Sequence, residues 1–277
     1  MAGKVIKVHK NNYEVLVDSN VFLCTTTGLL KYNKQNIIVG DNVLINNDNQ
    51  IISVKKRNNY LLRPRVANVD KAIVVTSLKE PNLDIVLLDK LLVILEFNSI
   101  KPIICLTKKD LLNETEIKKI DLIFDYYKKI GYTVLINSEL KKIKSLFKNS
   151  TIVLTGPSGS GKSTLINKIT NDYNLKTNSI SKALKRGRHT TTSSSLLTLC
   201  EGYVIDTPGF TALETNELTK EDIKHNFIEF HEMSIDCKYT SCMHVDKNVC
   251  NVLQNLDKGN ILQSRYNNYI KFIENKR

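Results

Sequence analysis

At 277 residues, with 42% hydrophobic and 25% charged positions, the chain has the composition of an ordinary folded protein and room for about two domains of ~150 residues or three small ones, which argues against a single small module. Its net charge of +12 favours a polyanionic partner such as RNA over an acidic small substrate, although a generally Lys-rich surface produces the same balance. The most apolar run, Ile85 to Phe97, is broken by Asp89, Lys90 and Glu96 and reads as an amphipathic helix, not a membrane span.

From Met1 the sequence enters alternating apolar residues directly, without the apolar core of a signal peptide, so a cytoplasmic location is expected. Short strands are predicted over Lys4 to Val8, Tyr13 to Val17, Val21 to Thr25, Asp41 to Asn46 and Gln50 to Val54. Turns fall at Gly28, Gly40-Asp41 and Asn46 to Asn49, and helical periodicity is absent. Such a run predicts a small barrel of the OB type, though an SH3-like barrel would read the same way. It suits either oligonucleotide binding or a structural role with one basic face. Arg63-Pro64-Arg65 is the expected linker, because proline ends regular pairing.

From Asp70 strands and helices alternate. Ala72 to Thr76 is a strand, Asp84 to about Asn98 a helix, and Pro102 to Leu106 a strand. A second helix starts at Asn113, whose spacing to Glu116 fits a capping box, and stops at Gly131. Strand Thr133 to Ile136, helix Glu139 to Lys148 and strand Thr151 to Thr155 follow. After a further helix and a polar segment from Asn171 to Ser194 come strands Leu196 to Cys200 and Gly202 to Ile205. A mostly parallel, doubly wound sheet is expected, then about sixty residues of helices. Cys24, Cys105 and Cys200, in or beside strand-like runs, are expected as core thiols.

Between Thr155 and the next helix lies Gly156-Pro157-Ser158-Gly159-Ser160-Gly161-Lys162-Ser163-Thr164, a phosphate loop of the form G-x-x-x-x-G-K-[ST]. Its glycines let backbone N–H groups wrap a phosphate at a helix N-terminus. Lys162 reaches the outer phosphates and Ser163 is the expected Mg²⁺ ligand. Thr107-Lys108-Lys109-Asp110, directly after a strand, fits [NT]-K-x-D. An acceptor-only carboxylate, Asp110, takes two hydrogen bonds from the guanine N1–H and amine, which adenine cannot supply, and the Lys108 stem can cover the base. Asp206-Thr207-Pro208-Gly209 fits D-x-x-G, with Asp206 near the Mg²⁺ shell and the Gly209 N–H at the γ-phosphate.

Upstream, Arg188-His189-Thr190-Thr191-Thr192 offers hydroxyls, from Thr190 or Thr191, to complete the Mg²⁺ coordination. Phe210 stands where many GTPases carry a water-orienting Gln, so slow intrinsic turnover is expected. His189 is the candidate catalytic group beside Lys162, its alternative being a solvated loop histidine. The guanine motif precedes the phosphate loop, the reverse of the ordinary order, which a circular permutation explains because termini sit at the surface.

Near the C-terminal end, Cys237, Cys242, His244 and Cys250 form C-x4-C-x-H-x5-C. That is a Cys₃His set suited to one structural Zn²⁺, and disulfides are disfavoured in a reducing compartment. Lys238, Lys247 and Arg265 are expected to line a basic surface around it.

The phosphate loop, Gly187 to Thr192, Asp206 to Phe210, the cysteine cluster and the closing Gly259-Asn260-Ile261 with Arg265-Tyr266 and Tyr269 together resemble the circularly permuted family of ribosome small-subunit-dependent GTPase A, over essentially the whole chain. The resemblance implies a multi-domain fold: an OB barrel (1–64), a permuted α/β GTPase domain (65–214) and a mostly helical zinc domain (215–277). It also implies late maturation of the small ribosomal subunit, with GTP or GDP as ligand and subunit RNA as partner. Asn137-Ser138-Glu139 stands where that family carries a Ser-Ala pair near the guanine, which assigns Ser138 to the nucleotide. Thr107 departs from the commoner Asn. A monomer is expected. Two other readings compete with a GTP-hydrolysing switch: a phosphate-loop kinase, disfavoured by the guanine motif, and an RNA-binding assembly protein for which nucleotide is only a sensor.

Overall fold

The computed structural model of the chain describes residues 1–33, 36–62, 65–172, 194–206, 218–246 and 250–276. By packing it divides into two units. One comprises Met1–Val75 with Asn137–Ala212, the other Thr76–Ile136 with Leu213–Arg277.

In the first unit, strands β1 (Ala2–Val8), β2 (Tyr13–Val17), β3 (Asn20–Thr26), β4 (Asn42–Ile45) and β5 (Gln50–Val54) run in the order β1-β2-β3-β5-β4. β4 closes back onto β1, with Lys4 opposite Asn42. This is the OB order, which decides between the two barrels left open by periodicity alone. A register shift between Val5 and Lys7 bends β1, and beyond it Lys7 pairs with Ser195. Alternate residues Val5, Val15, Val17, Val43, Ile45 and Ile51, with Cys24, fill the barrel.

Two local expectations are corrected here. Helix α1 (Gly28–Tyr32) occupies what reads as a turn, anchored by buried Leu30, one turn being too short to leave a periodic signature. Arg65 is not linker but the start of strand β7 (Arg65–Ala67), paired antiparallel with β6 (Tyr60–Leu62), Leu62 opposite Arg65; the remaining linker residues, Arg63 and Pro64, lie outside the described residues.

The same unit carries β8 (Lys71–Ser77) as far as Val75, then β11 (Thr151–Thr155), β12 (Ser195–Leu199) and β13 (Gly202–Asp206). β11 lies parallel between β8 and β13, and all five of its residues are buried. Covering both faces of a parallel strand is matched by its apolar centre, Ile152 to Leu154. Leu199 and Gly202 pair across a two-residue turn whose Cys200 and Glu201 both have positive φ (49° and 60°), so Cys200, although buried, is a turn residue and not the end of the strand. Helix α4 (Leu140–Ser145) stops three residues short of Lys148, and helix α5 (Lys162–Asp172) leaves the phosphate loop.

In the second unit, β9 (Lys101–Thr107) and β10 (Thr133–Ile136) pair in parallel, Ile103 opposite Thr133. Helix α2 (Ile85–Phe97) is capped by Asp84, whose side chain accepts the Leu87 N–H at 2.9 Å, and packs against β9. The expected amphipathic character is not found: Leu88 to Leu95 are buried except Lys90, and Asp89 is buried with them. Helix α3 (Glu114–Lys129) has the anticipated capping box between Asn113 and Glu116. Among the described residues four helices follow towards the C-terminal end: α6 (Lys220–Asn226), α7 (Ile228–Ser234), α8 (Asn251–Asp257) and α9 (Gln263–Glu274). Among the described residues no helix is long and apolar enough to cross a membrane.

Candidate nucleotide and metal sites

The phosphate loop opens at the C-terminal end of β11. Gly156, Gly159 and Gly161 all take positive φ (135°, 75° and 97°), conformations that side chains resist. At Gly156 the restriction is double, because a Cβ there would sit 2.2 Å from the Val75 carbonyl oxygen of the neighbouring strand. The turn drives the chain into α5, whose first residue is Lys162. Its ammonium donates to the carbonyls of Gly156 and Pro157, both at 2.7 Å, and burial lowers its pKa. Ser163 and Thr164 are exposed on the first turn, as are Ser158 and Gly159 on the loop, while Ser160 is buried beneath it. Asp206 ends β13, parallel to β11, so the two strands present their C-terminal ends at one edge.

In the second unit the parallel pair β9 and β10 does the same for Thr107–Asp110 and for the residues before Ser138. Thr107 is buried. Its carbonyl accepts the Leu78 N–H at 3.2 Å and its hydroxyl donates to the Thr76 carbonyl at 3.4 Å, so the position normally filled by Asn serves here as a strand-end anchor. Lys108 adopts φ 58° and donates to the Glu80 carbonyl. Lys109 is drawn to Asp121 on α3, at 2.7 Å, whereas Asp110 stands exposed in the single turn Lys109–Leu111. Ser138 is exposed. His189, Thr190, Thr191, Gly209 and Phe210 lie outside the described residues, as does Lys247.

The cysteine cluster is assembled as its spacing suggests. One ligand atom from each of Cys237, Cys242, His244 and Cys250 lies within 4.8 Å of all the others. The ring of His244 turns Nδ1 toward the sulfurs of Cys250 (3.4 Å) and Cys237 (3.8 Å). Burial, with Lys224 and His225 adding to it, lowers its pKa to about 4, which keeps the imidazole neutral and able to coordinate. Burial first, and then the neighbouring thiols, raise Cys250 to about 12, a repulsion among sulfurs that a dication would relieve. Cys250 also caps α8, its sulfur accepting the Leu253 N–H at 3.5 Å. The donor set fits one structural Zn²⁺. A Cys242→Ala variant is expected to lose that zinc, and with it helical signal from the short helices around the loop; full zinc content with unchanged circular dichroism would contradict the assignment.

Arg265 departs from expectation. It is fully buried and lines no basic surface. Its Nε and Nη2 donate to Glu229 on α7, both at 2.8 Å, and Nη1 donates to Asp89 on α2 at 2.7 Å. Tyr127 (2.6 Å) and Asn268 (2.7 Å) donate to the two oxygens of Asp89, and Tyr126 donates to Glu229 at 3.2 Å. Burial alone would pull the guanidinium down, but Asp89 and Glu229 more than reverse that and hold it well above its ordinary range. Asp89, a carboxylate set between Leu88 and the apolar run Leu91 to Leu95, was the available sequence signal for this network. Tyr266 and Tyr269 also gain a role: their hydroxyls donate to the carbonyls of His244 and Met243, both at 2.9 Å.

A phosphate loop at a parallel strand end, preceded in the chain by a guanine-type motif at another such end, defines the circularly permuted class of GTPases. The sequence profile of the RsgA GTPase family matches residues 54–216. The chain is 42% identical, over 99% of its length and 97% of the relative's, to a protein named small ribosomal subunit biogenesis GTPase RsgA from Clostridium botulinum (strain Eklund 17B), and 39% identical to RsgA 2 of Oceanobacillus iheyensis, with 98% and 96% covered. Among solved structures it resembles YloQ, a circularly permuted GTPase, with a TM-score of 0.84, 34% identity and 99% and 94% of the two chains covered. It also resembles YjeQ from Thermotoga maritima, with a TM-score of 0.86, 31% identity and 99% and 97% covered. The chain therefore belongs to the RsgA GTPase family, GTP-hydrolysing enzymes that take GTP and GDP with Mg²⁺.

Proposed function

We infer that this chain is a GTPase that binds the small ribosomal subunit and assists its late maturation, with hydrolysis stimulated by the subunit. The observation that carries this reading is full-length similarity to proteins named for small-subunit biogenesis, in a chain with a permuted motif order. In it residues 1–64 form an RNA-binding barrel, 65–214 the GTPase domain and 215–277 the zinc domain, acting as a cytoplasmic monomer. The net charge of +12 suits ribosomal RNA.

Lys162 neutralises the outer phosphates, the loop from Gly156 to Thr164 wraps them, and Ser163 ligates Mg²⁺ with Thr190 or Thr191 and Asp206 near it. Gly209 meets the γ-phosphate, and Asp110, flanked by Thr107, Lys108, Lys109 and Ser138, reads guanine. Replacing Asp110 with Asn is expected to shift preference toward xanthine nucleotides, whose C2 carbonyl stands where guanine has an amine; competition binding reads this directly. Unaltered guanine preference would remove Asp110 from base recognition.

The function is tested by GTP turnover of the pure protein with and without purified small subunits. Strong stimulation supports the reading, and tight subunit binding with no stimulation points to a nucleotide sensor. His189 is the group proposed to position the attacking water once the subunit orders its segment. His189→Ala should bind GTP and subunit normally yet lose most stimulated hydrolysis. A stimulated rate equal to the parent's would hand that task to backbone or RNA.

A further inference from the structure

We propose that α9 couples metal occupancy of the Cys237-Cys242-His244-Cys250 loop to retention of guanine nucleotide at Thr107–Asp110, with Arg265 and Asp89 as the positioning pair. This rests on the function proposed above, and every contact it uses lies within the second unit.

The helix grips in two directions. On one face Tyr266 and Tyr269, at i and i+3, hold the carbonyls of His244 and Met243. Those carbonyls belong to the metal loop itself, where His244 is held at φ 59°, a conformation that a non-glycine residue keeps only when its surroundings impose it. On the adjoining face Arg265 and Asn268, again at i and i+3, hold both oxygens of Asp89. Asp89 sits in α2, which packs against β9, and β9 ends in Thr107, the first residue of the guanine motif.

The element with two states is the loop. A short segment built around a Cys₃His set is ordered with its metal and loses that order without it. Close-packed helices carry such a change as a shift of whole elements, because a buried interface does not deform continuously. Loss of the metal frees the Met243 and His244 carbonyls, loosens α9, and lets α2 and the end of β9 relax away from the geometry that presents Asp110. Coupling between two binding sites is reciprocal, so bound GDP must raise zinc affinity by the factor by which zinc raises GDP affinity.

The experiment measures the Kd of a fluorescent GDP analogue for the full chain, zinc-loaded and chelator-stripped, and zinc affinity with and without saturating GDP. Stripping should weaken GDP binding by about 5-fold or more, the lower end of ordinary allosteric coupling. In Tyr266→Phe/Tyr269→Phe, which removes two hydroxyls and leaves the rings and the metal ligands, zinc should still bind while the GDP response to stripping falls to near unity. Asp89→Asn removes one of the two carboxylates that hold the Arg265 guanidinium and should also lose the response, whereas Asp89→Asn/Asn268→Asp returns a carboxylate to the same hydrogen-bonded pair and should recover it. Equal GDP affinity with and without zinc in the parent would overturn the proposal, and so would a Phe pair that responds like the parent. A parent that binds no GDP, or no zinc, would overturn the functional reading and this inference with it.

Discussion

Replacing Arg265 with Ala is expected to destabilise the protein by about 3–5 kcal/mol, the cost of leaving a buried charge without its partner. The residue is at 0% exposure and its guanidinium is shared between Asp89 and Glu229, so its loss strands two carboxylates in a pocket walled by Phe227, Tyr127 and Tyr132. The Phe227 ring lies 4.6 Å from the guanidinium carbon, an attraction that is lost as well. Against a total stability of roughly 5–15 kcal/mol this is a large fraction, and it should lower the melting temperature by roughly 10 °C or more. Lys238→Ala is the control. That lysine is exposed over the Tyr239 ring, and its removal should stay within about 0.5 kcal/mol. A melting temperature for Arg265→Ala within about 2 °C of the parent would show that the two carboxylates are hydrated in solution.

What the sequence reveals and what it hides divide along the range of the interactions. The phosphate loop and the Asn113 capping box rest on contacts between near neighbours, so spacing alone places them. The barrel needed one fact that periodicity does not carry, the closure of β4 onto β1. The β6–β7 hairpin escaped because strands of three residues leave no alternation to count. Arg265 is the extreme case. Its partner Asp89 lies 176 positions away, and nothing local separates a buried arginine from a surface one in a chain with 40 lysines and arginines. Asp110 falls between these limits: its motif is short and local, but only the phosphate loop elsewhere in the chain makes the tetrapeptide more than a charged turn after a strand.

Lys162→Ala is expected to lower GTP turnover by about 10²–10³-fold, the usual consequence of removing a preorganised electrostatic contact to developing charge. Lys162 is the first residue of α5, and its ammonium is held over its own loop by the Gly156 and Pro157 carbonyls. It is thus placed before substrate arrives and has little reorganisation left to do. Burial has already removed part of its hydration, as its lowered pKa records, so an incoming phosphate meets a cation that gains more from the new contact than a fully solvated lysine would. Alanine has the highest helix propensity and leaves the loop glycines in place, so folding should not change. This separates the variant from Arg265→Ala: the melting temperature of the nucleotide-free protein should match the parent's while steady-state hydrolysis collapses. Nucleotide affinity should fall too, more for GTP than for GDP, because the γ-phosphate adds charge that the ammonium is placed to meet. Turnover within about twofold of the parent would assign the outer phosphates to another cation, and the loop beginning at Gly156 would then be a turn without a catalytic task.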